Sequence, residues 1–155
     1  MTGFLLIAPT GSGKSWVCEN DSFFLHHGTD GDSLIDWPKN WSKVDWNVED
    51  RKNLEVVLDR MRKTARCVLW YVGTTAIEDA LNDRRLNAET IAIVLPPPEH
   101  HRRQVDNRGK RWHDWSCACK HRTLCENLVK KFDLPCFGSF QEAVEYVRTQ
   151  LSRNA

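Results

Sequence analysis

Gly3-Phe-Leu-Leu-Ile-Ala-Pro-Thr-Gly-Ser-Gly-Lys-Ser15 is the stretch that decides the architecture. Gly3 to Pro9 is almost continuously apolar, the pattern of a strand buried on both faces of a parallel sheet. Ala8 to Ser15 then follows the spacing G-x-x-x-x-G-K-[ST], with Ala8 standing where the first glycine is usual. Glycines in such a turn let successive backbone N–H groups converge on phosphate oxygens. A helix expected from about Gly13 to Asn20 adds the positive end of its dipole. Pro9, Thr10, Gly11, Ser12, Gly13, Lys14, Ser15 and Trp16 are therefore the residues expected around a polyphosphate. Lys14 should reach the β- and γ-phosphates, and the Ser15 hydroxyl should hold Mg²⁺. The stretch predicts a nucleoside-triphosphate site taking ATP and Mg²⁺.

Outward from this loop, strands and helices alternate. Further strands are expected at Phe23 to His27, Arg66 to Val72, Ile91 to Leu95 and Leu134 to Phe137. Helical spacing of apolar residues marks Val48 to Thr64, where Leu54, Val57, Leu58 and Met61 share a face, and Phe140 to Leu151. Thr74 to Leu86 and Leu124 to Phe132 also read as helices. The alternation predicts an α/β fold: about five parallel strands with helices on both faces, three layers in all. At 155 residues the chain has room for one domain spanning 1–155.

Asp30-Gly-Asp32 follows the second expected strand, at the sheet edge where open parallel sheets gather ligands. Two carboxylates at spacing two on extended chain point the same way. One suits the Mg²⁺ shell and the other suits proton acceptance from an acceptor hydroxyl. The plainer reading is an ordinary Asp-Gly turn.

With Ala8 to Ser15 followed by Asp30-Gly-Asp-Ser-Leu-Ile-Asp36, the chain resembles the small P-loop kinases: shikimate kinase, gluconate kinase and the nucleoside monophosphate kinases. Asp30, Asp32, Ile35 and Asp36 match the shikimate kinase pattern Asp-x-Asp-x-x-Ile-Glu, with Asp36 in place of Glu. The resemblance implies that Asp32 contacts the acceptor and helps deprotonate it while Asp30 serves the metal. Like shikimate and gluconate kinases, the third expected strand lacks a closing acidic residue and runs into Gly73-Thr-Thr75. Arg51 and Glu55, one residue further apart than the family's Arg-x-x-Glu pair, loosely imitate it, which makes Arg51 a candidate substrate contact.

Pro96 to Arg111 is rich in arginine and sits where these kinases carry a lid, here about 97–118. Arginines closing over a phosphoryl group stabilise charge that develops on its oxygens. Arg102, Arg103, Arg108 and Arg111 are the candidates, and Arg103 with Arg108-Gly109 fits the related Arg-x-x-x-x-Arg-Gly spacing. A solvated basic helix is the bland alternative; stacking of nucleic-acid bases on Trp112 and Trp115 beside these cations is another. Trp37 and Trp41 lie where the family binds its acceptor, and they either offer faces for a nucleobase or anchor an irregular loop against the domain. That placement favours nucleosides or nucleotides as acceptors, and it keeps a polynucleotide end open.

Cys117-Ala-Cys-Lys-His-Arg-Thr-Leu-Cys125, with His113 just before it, offers five soft ligands within thirteen residues, and Cys117, Cys119, His121 and Cys125 are the conceivable zinc set. Their spacing is not that of a zinc finger, so packing is the favoured role. Lys and Arg number 22 against 21 Asp and Glu, a balance that excludes a general polyanion-coating surface. Neither apolar run, Phe4 to Pro9 or Ile91 to Pro98, approaches the roughly 20 residues that span a bilayer. The expectation is a cytoplasmic, ATP-dependent kinase of a small acceptor, with no membrane partner. The alternative is a regulatory or nucleic-acid-associated nucleotide-binding module.

Overall fold

β1 (Phe4–Ile7) is the central strand of a parallel sheet ordered β2-β3-β1-β4-β5. The computed structural model describes residues 3–64, 68–71, 74–109 and 113–153. Three four-residue strands, β1, β3 (Val68–Tyr71) and β4 (Ile91–Val94), form its body. Two-residue strands, β2 (Gly28–Thr29) and β5 (Cys136–Phe137), complete its edges. β1 runs parallel to both inner neighbours, with Leu6 opposite Trp70 on one side and Ala92 on the other.

Strand alternation divides the core. Leu5 and Ile7 join Leu54, Val57 and Met61 of α3 (Trp46–Lys63), Ile77 of α4 (Thr74–Asn82), and Cys125 and Leu128 of α6 (Trp115–Phe132). Phe4, Leu6 and Ala8 face the other way, against Val17 of α1 (Lys14–Asn20), Phe24 of α2 (Ser22–His27), and Phe140, Ala143 and Val147 of α7 (Phe140–Arg153). This is the expected three-layer arrangement. Leu5, Leu6 and Ile7 are wholly buried, each worth about 1.5–3 kcal/mol in apolar surface removed from water. The single strand that precedes the phosphate loop is thus its most firmly held support.

Several local expectations are corrected. Phe23 to His27 is not a strand: α2 occupies it, nucleated by Asp21, whose Oδ1 accepts the Phe24 amide at 2.9 Å. A five-residue apolar run does not distinguish helix from strand by its periodicity, and the Asp cap decided it. The strand proper is displaced to Gly28–Thr29. α6 begins at Trp115 rather than Leu124, because Asp114 caps it by accepting the Cys117 amide at 2.9 Å. The arginine-rich stretch is largely regular, with α5 (Pro98–Asn107) opening on the proline at its first position. Helix α3 begins at Trp46, two residues before the expected start, capped by Asp45. Cys67, Val72, Gly73, Arg111 and Trp112 lie outside the described residues.

Gly28 carries a packing constraint that its neighbours explain. A Cβ there would fall 2.4–2.5 Å from the ring of Phe24, which is itself buried against β1 and α7. Gly28→Ala is therefore expected to destabilise the chain by about 1–3 kcal/mol, the usual range for overpacking. Urea denaturation of both forms reads this directly, and coincident midpoints would contradict it.

Candidate nucleotide site

All five strands are parallel, so their carboxyl ends share one edge, and β1 has neighbours on both sides where the chain switches direction of travel across the sheet. Crevices at that position are where open α/β sheets hold ligands. Ala8 to Gly13 leaves β1 there. Gly11 (φ 78°) and Gly13 (φ 94°) both adopt left-handed backbone, which glycine enters without the steric cost a Cβ imposes. Gly13 is the N-cap of α1, and no side chain caps that helix. Ser12 Oγ donates to the Pro9 carbonyl at 2.6 Å and is buried, so it shapes the loop from within. Ser15 and Trp16 are exposed in the first turn of α1.

Lys14 meets both expected carboxylates. Its Nζ hydrogen-bonds Asp32 Oδ2 and lies 3.3 Å from Asp30 Oδ1. The segment that brings them is not extended, as the sequence reading had it. Asp30 caps a 3₁₀ turn, Gly31–Leu34, its Oδ1 accepting the Asp32 amide at 3.0 Å. The turn folds Asp32 back beside Asp30, and both carboxylates reach one ammonium. Trp37 extends the group: its Nε1 donates to the Asp32 carbonyl at 3.2 Å, and its ring lies 5.8 Å from that of Trp41. Trp41 in turn meets Trp46 edge-on at 5.3 Å. Trp37 and Trp41 are 40% and 47% exposed, open enough to receive a planar ligand.

Thr10 is the residue by which the rest of the fold holds the loop. His121 Nδ1 of α6 accepts its amide at 3.4 Å. His101 Nε2 of α5 lies 2.7 Å from its carbonyl oxygen, and Arg108 Nη1 donates to its hydroxyl at 3.1 Å. The His101 tautomer follows from these partners. Arg122 Nη1 lies 3.2 Å from His101 Nδ1, and since arginine only donates, Nδ1 accepts and Nε2–H donates to Thr10. Burial lowers the His101 pKa most, the Thr10 carbonyl opposes that, and Arg122 and Arg108 add to the lowering. A neutral ring fits all of these contacts. Arg122 also donates to the Pro96 carbonyl at 2.6 Å, tying α6 to the end of β4. The sequence reading assigned none of this to His101, His121 or Arg122. A helical face formed by His101 and Val105, both buried, is the signal that was available for His101.

The arginines separate by position. Arg108 sits at the end of α5 against the loop, and Arg103 is exposed on that helix. Arg102 pairs with Asp106 at 3.8 Å and lies 5.9 Å over the Trp115 ring. Arg51 and Glu55 are engaged elsewhere: Arg51 donates to Asp79 of α4 at 3.1 Å, and Glu55 pairs with Arg85. On the far side of the loop, Gly13, Trp16, His100, Gln104, Ser139 and Gln141 help line a cleft of about 270 Å³. The turn after β5 therefore reaches the loop. Gln104 Oε1 is buried there with no hydrogen-bond partner among the described residues.

The four-ligand zinc set is corrected. Cys125 lies in the core with Leu128, and burial pushes its thiol up to about 12, far from a ready thiolate. Cys119 is two residues beyond Cys117 on a helix, so the two face apart.

Among the described residues no helix is long and apolar enough to cross a membrane. No protein-family model matches the sequence, and no curated protein matches it. Solved structures do match. A gluconokinase from Sinorhizobium meliloti 1021 superimposes with a TM-score of 0.62 at 16% identity, covering 99% of this chain and 94% of that one. The tunicamycin resistance protein of Deinococcus radiodurans gives 0.60 at 11% identity, covering 97% and 96%. Similarity that spans nearly the whole of each chain at such low identity is similarity of fold, and this chain shares with both the α/β architecture of the small P-loop kinases.

Proposed function

We propose that this chain transfers the terminal phosphoryl group of a nucleoside triphosphate to a small hydroxyl- or phosphate-bearing acceptor, nucleosides and nucleotides being favoured. The observation that carries the reading is the contact of one loop ammonium, Lys14, with two carboxylates from a separate element, Asp30 and Asp32. A loop that only bound Mg-nucleotide would use the lysine and one carboxylate for the metal. The second carboxylate is what transfer to an acceptor adds.

In this reading the loop amides from Gly11 to Ser15 and Lys14 hold the phosphates. Ser15 and Asp30 offer the hard oxygen donors that Mg²⁺ takes, and a bound ion there neutralises phosphate charge. Asp32 accepts the acceptor's proton. Arg108, with Arg103 closing from α5, meets charge on the transferring group, and the segment 97–118 acts as the lid. Trp37 and Trp41 stack on the acceptor, their position beside Asp32 being the reason to favour a planar base. The triphosphate's own base takes the cleft at Trp16, Gln104 and Ser139, where a base amino group supplies the donor that Gln104 Oε1 lacks.

The test is γ-labelled ATP with Mg²⁺ against nucleosides, nucleoside monophosphates, sugar acids and 5′-hydroxyl oligonucleotides. Label is expected on a nucleoside or nucleotide, with transfer abolished by Lys14→Ala. Calorimetric binding of ATP without labelled product from any acceptor would leave a nucleotide-binding module instead. Absence of heat with both ATP and GTP would remove the nucleotide site itself.

A further inference from the structure

We propose that His113, Cys117 and His121 form a site for a zinc-class transition-metal ion, linked to the phosphate loop through His121. Cys117 and His121 stand one turn apart on α6 and so share a face. His113, just before the Asp114 cap, brings its ring to within 5.6 Å of His121, nearly perpendicular to it. One donor atom from each of the three lies within 4.8 Å of the others, and Cys117 Sγ is 3.9 Å from His121 Nε2. Metal–ligand bonds of about 2.0–2.3 Å in a tetrahedron set ligands about 3.3–3.8 Å apart. Closing the gap takes about 1 Å of movement, and His113, the exposed member, is the one placed to make it.

The donor set selects the ion. A thiolate with two imidazoles suits zinc, cobalt or copper rather than magnesium or calcium, which take oxygen. Three protein ligands leave a fourth position for water. His121 Nδ1 accepts the Thr10 amide, which a doubly protonated ring cannot do, so the ring is neutral and its Nε2 is turned to the site. Binding displaces the Cys117 thiol proton to solvent, one per ion.

The link to the loop is a matter of proton count. Without metal, His121 Nδ1 accepts the Thr10 amide, so the ring's single proton is on Nε2, the nitrogen that faces Cys117. A metal on Nε2 sends that proton, through solvent, to Nδ1. Nδ1 then becomes a donor, and the Thr10 N–H···Nδ1 bond is lost. Metal binding and loop geometry are coupled, and such coupling is reciprocal. None of this rests on the phosphotransfer reading, and it stands or falls on metal binding alone.

Cobalt(II) titrated into the full chain, kept reduced with a non-thiol reductant, tests the site. Expected are a thiolate-to-cobalt charge-transfer band in the near ultraviolet and tetrahedral d–d bands, saturating at one equivalent and erased by Zn²⁺. Cys117→Ser abolishes the charge-transfer band, whereas Cys119→Ser keeps it. Exposed His113→Ala lowers affinity by at least about tenfold without threatening the fold, and circular dichroism verifies each variant. No band in the parent chain, or one that survives Cys117→Ser, overturns the site. Heteronuclear NMR tests the link: Zn²⁺ is expected to move the Thr10 amide resonance, and a saturated site with that resonance unmoved overturns the coupling.

Discussion

Asp32→Asn is expected to lower phosphoryl transfer by about 10²–10⁴-fold, the range that a positioned general base contributes, while ATP binds as tightly as before or more tightly. The two readouts move in opposite directions for one reason. The Lys14 ammonium contacts both Asp32 and Asp30, so phosphate competes with carboxylates for the cation it needs. Asn keeps the shape of Asp and removes its charge. Lys14 then keeps one charged partner, Asp30 at 3.3 Å, and is more available to phosphate. The amide that replaces the carboxylate does not take a proton, so the acceptor hydroxyl is not activated. Steady-state transfer with the preferred acceptor, beside calorimetry with a non-hydrolysable ATP analogue, measures both. Transfer at the parental rate would exclude Asp32 as the base, and loss of ATP binding would make it part of the loop's scaffold instead.

Gly11→Ala is expected to destabilise the chain by about 2–5 kcal/mol, the sum of left-handed strain in a non-glycine residue and overpacking. At φ 78° the new Cβ would lie 2.5 Å from Val105 Cγ2 and 2.9 Å from Arg108 Nη1. Arg108 is long and gives way. Val105 is buried on α5 and does not. Gly13→Ala, at φ 94°, meets only Gln104 Nε2 at 3.4 Å, so it should suffer the strain and little of the clash. Urea denaturation of both variants separates the two contributions. Val105→Ala should partly rescue Gly11→Ala, with a coupling energy of about 1 kcal/mol or more, and should not rescue Gly13→Ala. Strict additivity of the Gly11 and Val105 changes would mean that α5 does not press on the loop.

Local chemistry made part of this protein legible without coordinates. The apolar run ahead of Ala8 to Ser15 read as a buried strand because glycines at set spacing follow it and turn the chain, and β1 occupies Phe4–Ile7. The strand–helix alternation settled the layers. That Asp30 and Asp32 lie near the loop was readable, because the carboxyl ends of parallel strands share one edge. The α2 segment was not readable: Phe-Phe-Leu-His-His satisfies strand and helix equally, and Asp21 capping with Phe24 burial chose between them.

Tertiary packing alone decided the rest, because it joins residues that no local pattern connects. Thr10 is bonded to His101, Arg108 and His121, partners that lie 91 to 111 positions away. Arg51, likened to a substrate contact, is occupied by Asp79 from another helix. The cysteine segment looked like a poor zinc finger because spacing was read along an unstructured chain. Wound into α6 it turns Cys125 into the core and sets Cys117 over His121, since a helix brings together residues four apart and separates those two apart.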